Sequence, residues 1–392
     1  MTEKAAKAPN HWPFLDFLRA TAALLVLFAH SRPFYFVYID FADQPNVFLK
    51  LFYFITGVGH GAVVVFFVLS GFLIGGSLAD SMLRGRFDLP RYLIARFVRI
   101  YVVYVLALII TRGVFFFGSL LLRDTGSTPE RFAPLFSHPS QAFGGVSQAI
   151  CLLSGLQGFS CPAWEKNPVL WSLGFEWALY LFAPAAIQLI VWKGAPGLRL
   201  LAVMLICAIA ATVCSYHDPI EAVFWFSAWF LGAGSFGLMR TRLLPLPVGL
   251  IGAGLMIAGM FLAHLYPDYP GSQTMTDIII AAGAAIAIAC RPLAAFPLAP
   301  RFFGWVAGFS FTLYAIHSPL VFFIVTLFRN IGFASDLLPS PTPFMELGVT
   351  IAICLLAAFL VSLVTERKSG QIRDVMLRMC PPRAHIEASG RG

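Results

Sequence analysis

Long apolar runs separated by short polar segments set the pattern of this 392-residue chain. A helix of about 20 apolar residues is long enough to cross the hydrocarbon core of a bilayer. Hydropathy places ten such runs, at approximately residues 14–37, 51–78, 100–122, 171–192, 198–216, 220–239, 246–264, 276–291, 303–327 and 345–365. The pattern therefore predicts an all-α integral membrane protein, a polytopic bundle of about ten transmembrane helices.

The basic residues assign an orientation to this bundle. If both termini are cytoplasmic, twenty of the 27 lysines and arginines fall on the inner side, as the positive-inside rule requires. The basic residues that remain on or near the outer side are Arg32, Lys50, Arg112, Arg123, Arg131, Lys166 and Arg329. We therefore predict that both termini are cytoplasmic.

The predicted domain organisation has three parts. Residues 1–13 form a cytoplasmic N-terminal segment, and residues 14–366 form the transmembrane domain. Residues 367–392 form a basic cytoplasmic tail that is expected to be poorly ordered. The outer segment 123–170 is rich in Pro, Ser and Gly, is expected to contain a short interfacial helix near residues 143–156, and could line or cover an outward-facing cleft.

Composition agrees with a membrane protein. The chain is 59% hydrophobic and 12% charged, with a mean hydropathy of +0.80, whereas soluble domains are about 45–50% apolar and about 25% charged. The net charge of +8 would suit nucleic acid, but the basic residues lie between apolar runs, where they set topology and meet anionic lipid. We therefore expect membrane lipid, and no nucleic acid, as a partner.

The seven cysteines show no metal-ligand spacing, so no metal site is expected. Cys151 and Cys161 share the outer segment and could form a disulfide if that compartment is oxidising. A pair of free thiols fits the sequence equally well.

Three ionisable side chains, Asp16, Arg19 and His30, stand in the first apolar run, LDFLRATAALLVLFAH, which we interpret as a retained span rather than a signal peptide. A charge in the hydrocarbon is costly, so it usually marks a functional site or an ion pair facing the bundle interior. Asp16 and Arg19 are one turn apart and can pair. Arg19 and His30 share nearly one helix face, roughly 16 Å apart along the axis. A salt bridge plus an interfacial histidine is the structural alternative, and this run alone does not decide between the two.

Arg96 and Arg99 lie three residues apart in RYLIARFVRIYVVY, at the inner end of the third run. Guanidinium groups match phosphate oxygens well, so the segment could hold a nucleotide-bearing donor at the cytoplasmic surface. Anchoring to anionic lipid explains the same residues without a ligand, and the segment taken alone favours this anchoring.

Polar residues share helix faces in two later runs. Glu176 lies in NPVLWSLGFEWALYLFAP with Ser172 and Tyr180 one turn to either side, and an ion pair and a substrate contact are equally expected there. In GFSFTLYAIHSPL, Tyr314 and His317 fall on one face. A second intramembrane histidine, in a bundle that also holds a glutamate, indicates a proton-handling or hydroxyl-binding site.

The chain resembles the acyltransferase 3 family of membrane acyltransferases. The resemblance lies in five segments, in this order: LDFLRATAALLVLFAH, GAVVVFFVLSGFLIG, RYLIARFVRIYVVY, LWSLGFEWALYLFAP and FSFTLYAIHSPL. It covers about residues 11 to 366. It implies a bundle of about ten helices in the bacterial inner membrane. The family takes an acyl group from cytoplasmic acyl-CoA and has no permanently bound cofactor. Its members O-acylate carbohydrates of the lipopolysaccharide, exopolysaccharide or Nod-factor type.

The resemblance also assigns individual residues. His30 matches the essential histidine of the family's first span, Arg19 the arginine eleven residues before it, and Arg96 and Arg99 an arginine pair implicated in acyl-CoA use. Four positions depart from the residues usual in the family without removing an ionisable group: Phe17 for glycine, Val102 for proline, Gly174 for serine and Ile316 for tryptophan. These departures leave the shape of the donor pocket, and so the acyl-chain preference, open.

Residues and resemblance together predict an enzyme that moves an acyl group, in the simplest case acetyl, from acyl-CoA to a hydroxyl of a carbohydrate or glycolipid. A hydroxyl is a poor nucleophile, so His30 is the expected general base, with a transient acyl-His30 as the alternative. Asp16 and Glu176 are expected to support it. Acyl-CoA is expected at Arg19, Arg96 and Arg99, and the acceptor at Ser172, Tyr180, Tyr314 and His317.

Two other functions explain part of this pattern. A proton-coupled transporter or flippase of a lipid-linked or amphipathic substrate would use Glu176, His30 and His317 as a proton relay. The chain shows no inverted repeat and clusters its arginines on the inner side, which both count against transport. A transporter releases no free CoA, so thioester consumption separates the two. A purely structural scaffold would leave the polar stripe unexplained, and the sequence gives no indication of oligomeric state.

Overall fold

The fold was analysed in a computed structural model, which describes residues 12–37, 39, 45–121, 145–191, 219–265, 272–294, 301–332 and 338–379. These residues form helices, and no strand occurs among them. Eight helical stretches in this part of the chain are long and apolar enough to cross a membrane. The prediction of an all-α polytopic membrane protein is therefore confirmed, while the predicted span at residues 198–216 lies outside the described residues.

The helices follow the apolar runs. In the first part of the chain they are α1 (Pro13–Ser31), α2 (Val47–Ile55), α3 (Gly59–Ser70), α4 (Gly76–Leu83), α5 (Leu89–Leu121), α6 (Val146–Ser154) and α7 (Trp171–Val191). In the second part they are α8 (Pro219–Thr241), α9 (Leu246–Leu265), α10 (Ser272–Ala289), α11 (Arg291–Ala294), α12 (Arg301–Ala307), α13 (Ser310–Asn330), α14 (Pro341–Ser362) and α15 (Glu366–Met379). A π-helical turn, Gly71–Gly75, joins α3 to α4, and 3₁₀ turns at Arg32–Phe34 and Pro168–Leu170 flank α1 and α7.

Helix α1 lies at the centre of the bundle. It packs against α3, α12 and α13, and α13 packs in turn against α5 and α14. The apolar side of α1, which includes Leu18, Ala23 and Leu27, is buried in these contacts. Within a membrane this packing stabilises the bundle through van der Waals contact, because lipid tails are as apolar as these side chains. The packing brings the helix that carries His30 beside the helix that carries His317.

Glycines permit a very close contact between α8 and the second apolar run. A Cβ atom on Gly71 would lie 1.8 Å from the backbone oxygen of Trp229, and a Cβ atom on Gly232 would lie 2.0 Å from the backbone oxygen of Val68. Neither position has room for a side chain. Small residues of this run therefore form a helix-packing surface.

Apolar side chains also cover the outside of the bundle. Helix α14 exposes Val349, Ile353, Leu356 and Leu360, each more than 40% accessible, at positions that form one stripe along the helix. A stripe of this length is expected to meet lipid hydrocarbon rather than water.

The outer segment contains the expected helix. Helix α6, Val146–Ser154, lies within the predicted range 143–156, whereas residues 122–144 lie outside the described part. Cys151 and Cys161 form a disulfide with a Cα–Cα distance of 6.4 Å. The hydroxyl of Tyr104 donates to the backbone oxygen of Leu152 at 2.7 Å, so α6 is fixed against α5.

The expectation that the tail is poorly ordered is wrong for residues 367–379. These residues belong to α15 (Glu366–Met379), which packs against α5. Its sequence, ERKSGQIRDVMLRM, alternates charged and apolar residues at helical spacing, and Glu366 receives hydrogen bonds from α13. Residues 380–392 lie outside the described part.

Candidate active site

The two intramembrane histidines form a pair. His30, in the last turn of α1, places its Nδ1 atom 2.9 Å from Nε2 of His317 on α13. The ring centroids are 5.1 Å apart, with an angle of 28° between the ring planes. His317 is only 1% exposed, while His30 is exposed. The sequence suggested a site that contains both residues, but the direct contact between them depends on how α1 packs against α13.

Backbone contacts fix the proton positions within this pair. Nδ1 of His317 lies 2.8 Å from the backbone oxygen of Tyr314 and 3.2 Å from that of Leu313. A carbonyl only accepts hydrogen bonds, so Nδ1 of a neutral His317 carries the proton and its Nε2 carries the lone pair. His30 must then donate from Nδ1 to that lone pair. The lone pair of His30 is left on Nε2, on an imidazole that solvent or substrate can reach.

A cavity of about 420 Å³ lies in the bundle beside the histidine pair. Its lining includes residues of α1, α3, α5, α7 and α13, among them the arginines Arg19, Arg96 and Arg99. Tyr314 also lines the cavity, and its ring centroid is 6.0 Å from that of His317. His30 and His317 are not among the residues that line it. The histidine pair therefore lies next to the cavity, behind Tyr314, and outside its lining.

The arginines make one wall of this cavity cationic. The guanidinium of Arg96 lies 5.7 Å from the ring centroid of Tyr92 and 5.9 Å from that of Tyr180, and that of Arg99 lies 5.5 Å from the ring of Phe311. These contacts hold the planar groups without neutralising them. An anionic ligand such as a phosphate fits a wall of this kind.

Arg19 has the partner that the sequence suggested. Its Nη1 atom lies 4.0 Å from Oδ1 of Asp16, one turn earlier on α1, and both side chains are about three-quarters buried. Asp16 is therefore associated with the arginine end of the site, and no described contact joins it to His30.

Glu176 accepts hydrogen bonds from hydroxyl groups. Ser70 donates to Oε1 of Glu176 at 2.8 Å, and Tyr180 donates to the same oxygen. The indole of Trp229 donates to the Ser70 hydroxyl at 3.2 Å. The described hydrogen bonds of Glu176 therefore come from hydroxyl groups, and they involve neither histidine. Tyr180, expected on the acceptor side, lies here on the arginine-lined wall of the cavity.

Ser172 and Tyr314 form a second hydroxyl pair. Their oxygens are 2.6 Å apart, and Tyr314 donates to the backbone oxygen of Val169 at 3.0 Å. Both residues line the cavity. Through the Tyr314 ring, this hydroxyl pair connects the lining of the cavity to His317.

Two residues of the site were missed in the sequence. Ser70 lies in a run of small residues, which is typical of helix packing and does not by itself indicate a site. In the structure its hydroxyl donates a hydrogen bond to Glu176. Ser70 also precedes the π turn Gly71–Gly75, and a local distortion of this kind often marks a functional site. Glu366 is the last residue of the predicted transmembrane domain, next to the basic tail, yet its carboxylate is only 7% exposed. It accepts hydrogen bonds from the backbone nitrogen and hydroxyl of Thr312 at 3.0 and 2.8 Å, and its other oxygen is 4.0 Å from Arg99.

Comparison with known proteins gives one match. The profile of an acyltransferase domain matches residues 12–366, nearly the whole chain. No curated protein and no solved structure matched the chain. The matched range extends from the start of α1 to the first residue of α15, so it includes every residue of the site described above. The chain therefore belongs to the acyltransferase 3 family of multi-pass membrane proteins.

Proposed function

We propose that this protein transfers an acyl group, in the simplest case acetyl, from cytoplasmic acyl-CoA to a hydroxyl of a cell-envelope or exported carbohydrate, in a bacterial inner membrane. The histidine pair carries the proposal. Nδ1 of His317 donates a hydrogen bond to the backbone of its own helix, so its Nε2 accepts one from Nδ1 of His30. This contact favours the tautomer of His30 in which Nε2 carries the lone pair.

In this mechanism Nε2 of His30 acts as the general base. It takes the proton of the acceptor hydroxyl as the hydroxyl oxygen attacks the carbonyl carbon of the thioester. The carbon–sulfur bond then breaks, and the proton passes from the imidazolium to the leaving thiolate. The products are an ester of the acceptor and free CoA, so no other reactant is needed.

Acyl-CoA is proposed to enter from the arginine side. Arg19, Arg96 and Arg99 would hold its phosphates, because guanidinium groups form charge-assisted hydrogen bonds with phosphate oxygens. The pantetheine arm would then extend through the cavity towards Ser172 and Tyr314. This arrangement brings donor and acceptor to the histidine pair from different sides.

A transient acyl-His30 is the alternative to direct transfer. In that route Nε2 of His30 attacks the thioester itself, CoA leaves, and the acceptor hydroxyl then takes the acyl group. The same lone pair serves both routes. Intact-mass measurement of the protein after mixing with acetyl-CoA alone separates them, because only the second route adds an acetyl group to the protein.

Proton-coupled transport has less support. A relay would need Glu176 to exchange protons with the histidines, but its described partners are Ser70 and Tyr180.

The test is thiol release from acetyl-CoA by the purified protein in nanodiscs, with a panel of glycans as acceptors. Since a positioned general base contributes typically about 10²- to 10⁴-fold, we expect His30→Gln to lose about 100-fold or more of this activity. His60→Gln is the matched control, because His60 is also a histidine near a helix end but bonds Asp277 on α10 at 2.8 Å.

Acetyl-CoA binding is measured on the same samples. Arg96→Gln is expected to weaken binding, whereas Arg84→Gln, which removes an exposed arginine paired with Asp80, should not. A folded His30→Gln protein with full thiol release would contradict the assignment of the base. Wild-type protein that neither binds acetyl-CoA nor releases thiol would overturn the proposed function in favour of transport.

A further inference from the structure

Two basic side chains, Arg112 and Lys166, lie together far from the arginine-lined wall. Arg112 is on α5, thirteen residues after Arg99, and therefore roughly 20 Å further along the same helix. The residue before it, Thr111, accepts a hydrogen bond at 3.0 Å from the amide of Asn167, the residue after Lys166. A side-chain hydrogen bond between their sequence neighbours therefore holds the two cation-bearing segments together.

Neither cation is neutralised within the described part of the chain. Lys166 is only 9% exposed, and its ammonium lies 5.2 Å from the ring centroid of Phe115. Nη1 of Arg112 is buried and has no hydrogen-bond acceptor among the described residues. No carboxylate in this part of the structure lies within 4.0 Å of either group, and Glu165, the acid next in sequence, is exposed.

Two like charges held in such a site are costly without a counter-charge. Burial lowers the pKa of the Lys166 ammonium and the charge of Arg112 lowers it further, while the exposed Glu165 carboxylate opposes this shift without reversing it. An uncompensated buried charge destabilises a protein by several kcal/mol. The positive-inside rule also disfavours basic residues at this end of the bundle, since the orientation assigned from the sequence makes it the outer one. A bound anion would therefore compensate the charges of Arg112 and Lys166.

The cation pair lies close to the histidine pair. The Asn167 amide that bonds Thr111 also donates to the backbone oxygen of Ala315 at 3.0 Å. Ala315 is two residues before His317 on α13. Phe115, which contacts Lys166, also packs against Phe322 on α13 at 6.4 Å between ring centroids. The same contacts therefore hold the cations beside the segment that positions the candidate base.

We infer that Arg112 and Lys166 form a subsite for an oxyanion, a phosphate or carboxylate group, carried by the acceptor next to the hydroxyl that is acylated. The inference rests on the proposed function only in assigning the anion to the acceptor. A guanidinium and an ammonium together suit a group with two or three charged oxygens. Acceptors of this class are acidic sugars and sugars linked to a lipid phosphate.

The test measures thermal unfolding of the full-length protein in phosphatidylcholine nanodiscs. Arg96→Gln and Arg99→Gln are present throughout, to remove the donor-side arginines as competing anion sites. Inorganic pyrophosphate and glucuronate serve as probes of phosphate and carboxylate. We expect one of them, at about 10 mM, to raise the unfolding midpoint by roughly 2 °C or more through binding to the folded state.

Lys166→Met should abolish the rise in the unfolding midpoint, and Arg112→Gln serves as the second subsite variant if Lys166→Met fails to fold. Lys50→Met removes an exposed lysine and should leave the rise unchanged. A rise that persists in both subsite variants, or no rise with either probe, would overturn the inference.

Nanodiscs that contain phosphatidylglycerol form the third arm. A Lys166-dependent rise in those discs alone would assign the anion to a lipid headgroup and overturn the acceptor subsite. Because the readout is not activity, its result is independent of whether thiol release is observed.

Discussion

His30 and His317 differ in what their ring nitrogens contact, and this difference gives each residue a separate role. Both nitrogens of His317 are engaged, one with the backbone of α13 and one with His30. His30 contacts His317 through Nδ1, its ring also has a hydrogen bond with the backbone of Val26, and within the described part of the chain no side-chain contact involves its Nε2. We therefore regard His317 as a positioning residue, which acts on the reaction through His30.

The change His317→Gln tests this role. The glutamine amide can turn either its oxygen or its NH₂ group to His30, so it no longer enforces one tautomer. We expect kcat for thiol release to fall by about 10- to 100-fold, less than the loss from removing the base itself, with KM for acetyl-CoA unchanged.

The double variant His30→Gln/His317→Gln provides the control. If His317 acts only through His30, the second change should add nothing once His30 is gone, because residues that act as a unit are not additive. Losses that multiply would contradict the positioning role and indicate a separate contact of His317 with substrate.

Glu366 is expected to position Arg99 in the donor site. The change Glu366→Gln keeps an acceptor for the Thr312 nitrogen but removes the charge 4.0 Å from Arg99. Arg99 is 40% exposed, and ion pairs of this exposure are worth about 0.2–1 kcal/mol. We therefore expect KM for acetyl-CoA to rise about twofold to fivefold with kcat unchanged.

Asp374→Asn is the matched control for Glu366→Gln, because Asp374 lies on the same helix and pairs with Arg373 at the surface. An equal effect of both changes would show that only the net charge of α15 matters. A fall in kcat with KM unchanged would instead place Glu366 in the chemical step.

Hydropathy explains which site residues could be found in the sequence. His30, Glu176 and His317 are recognisable because an ionisable group in an apolar run stands out. Glu366 does not stand out among charged neighbours, and Ser70 is one of several small residues in its run. The contacts that make these two important come from helices distant in the sequence, and no local pattern encodes them.

At the scale of elements, the contact between the second apolar run and α8 limits which residues can replace glycine. The change Gly71→Ala would place a Cβ 1.8 Å from the backbone oxygen of Trp229, so the helices must move apart. We expect a destabilisation of about 1–3 kcal/mol, as for other overpacked sites. The measurement is the thermal unfolding midpoint in detergent.

Gly237→Ala is the control for this change, since Gly237 lies on α8 with open space around its Cβ position. There alanine should be neutral or stabilise the helix by roughly 0.5–1 kcal/mol. Because Gly71 follows Ser70, Gly71→Ala is also expected to lower activity. Equal midpoints for the two variants would contradict the steric argument.

Element boundaries show what periodicity and hydropathy encode. Residues 246–264 were predicted as a span, and α9 covers Leu246–Leu265. The third run was placed at 100–122, but α5 begins eleven residues earlier, because its arginine-rich segment continues the same helix into the cytoplasmic surface. The predicted span 51–78 is divided at residues 56–58 and contains a π turn. Hydropathy does not report such breaks, since apolar residues continue across them.

At the scale of the whole molecule, the site is asymmetric across the bundle. The cationic wall of the cavity lies beside α15, whereas the disulfide-bonded segment contacts the middle of α5 at Tyr104, and the chain after it contacts α5 further along, at Thr111. A disulfide persists in an oxidising compartment, and the positive-inside rule puts the arginine-rich end in the cytoplasm. Both considerations predict the same orientation, with the arginine-rich end in the cytoplasm.

The orientation can be measured with reporter cysteines. The background keeps the Cys151–Cys161 disulfide and replaces the other five cysteines of the chain. Val146→Cys on α6 and Leu83→Cys at the end of α4 are then compared, because both positions are at least 70% exposed. In sealed right-side-out vesicles, a membrane-impermeant maleimide should label Val146→Cys at once and Leu83→Cys only after permeabilisation.

The reverse result would have consequences for the whole proposal. If Leu83→Cys were labelled first, Arg19, Arg96 and Arg99 would face the outside, where acyl-CoA is not available, and the cationic cavity would need another ligand. With the expected result, the cavity opens to the cytosolic donor and His30 is exposed towards the compartment of the acceptor. The histidine pair would then be the point at which an acyl group crosses the membrane without movement of the donor or the acceptor across it.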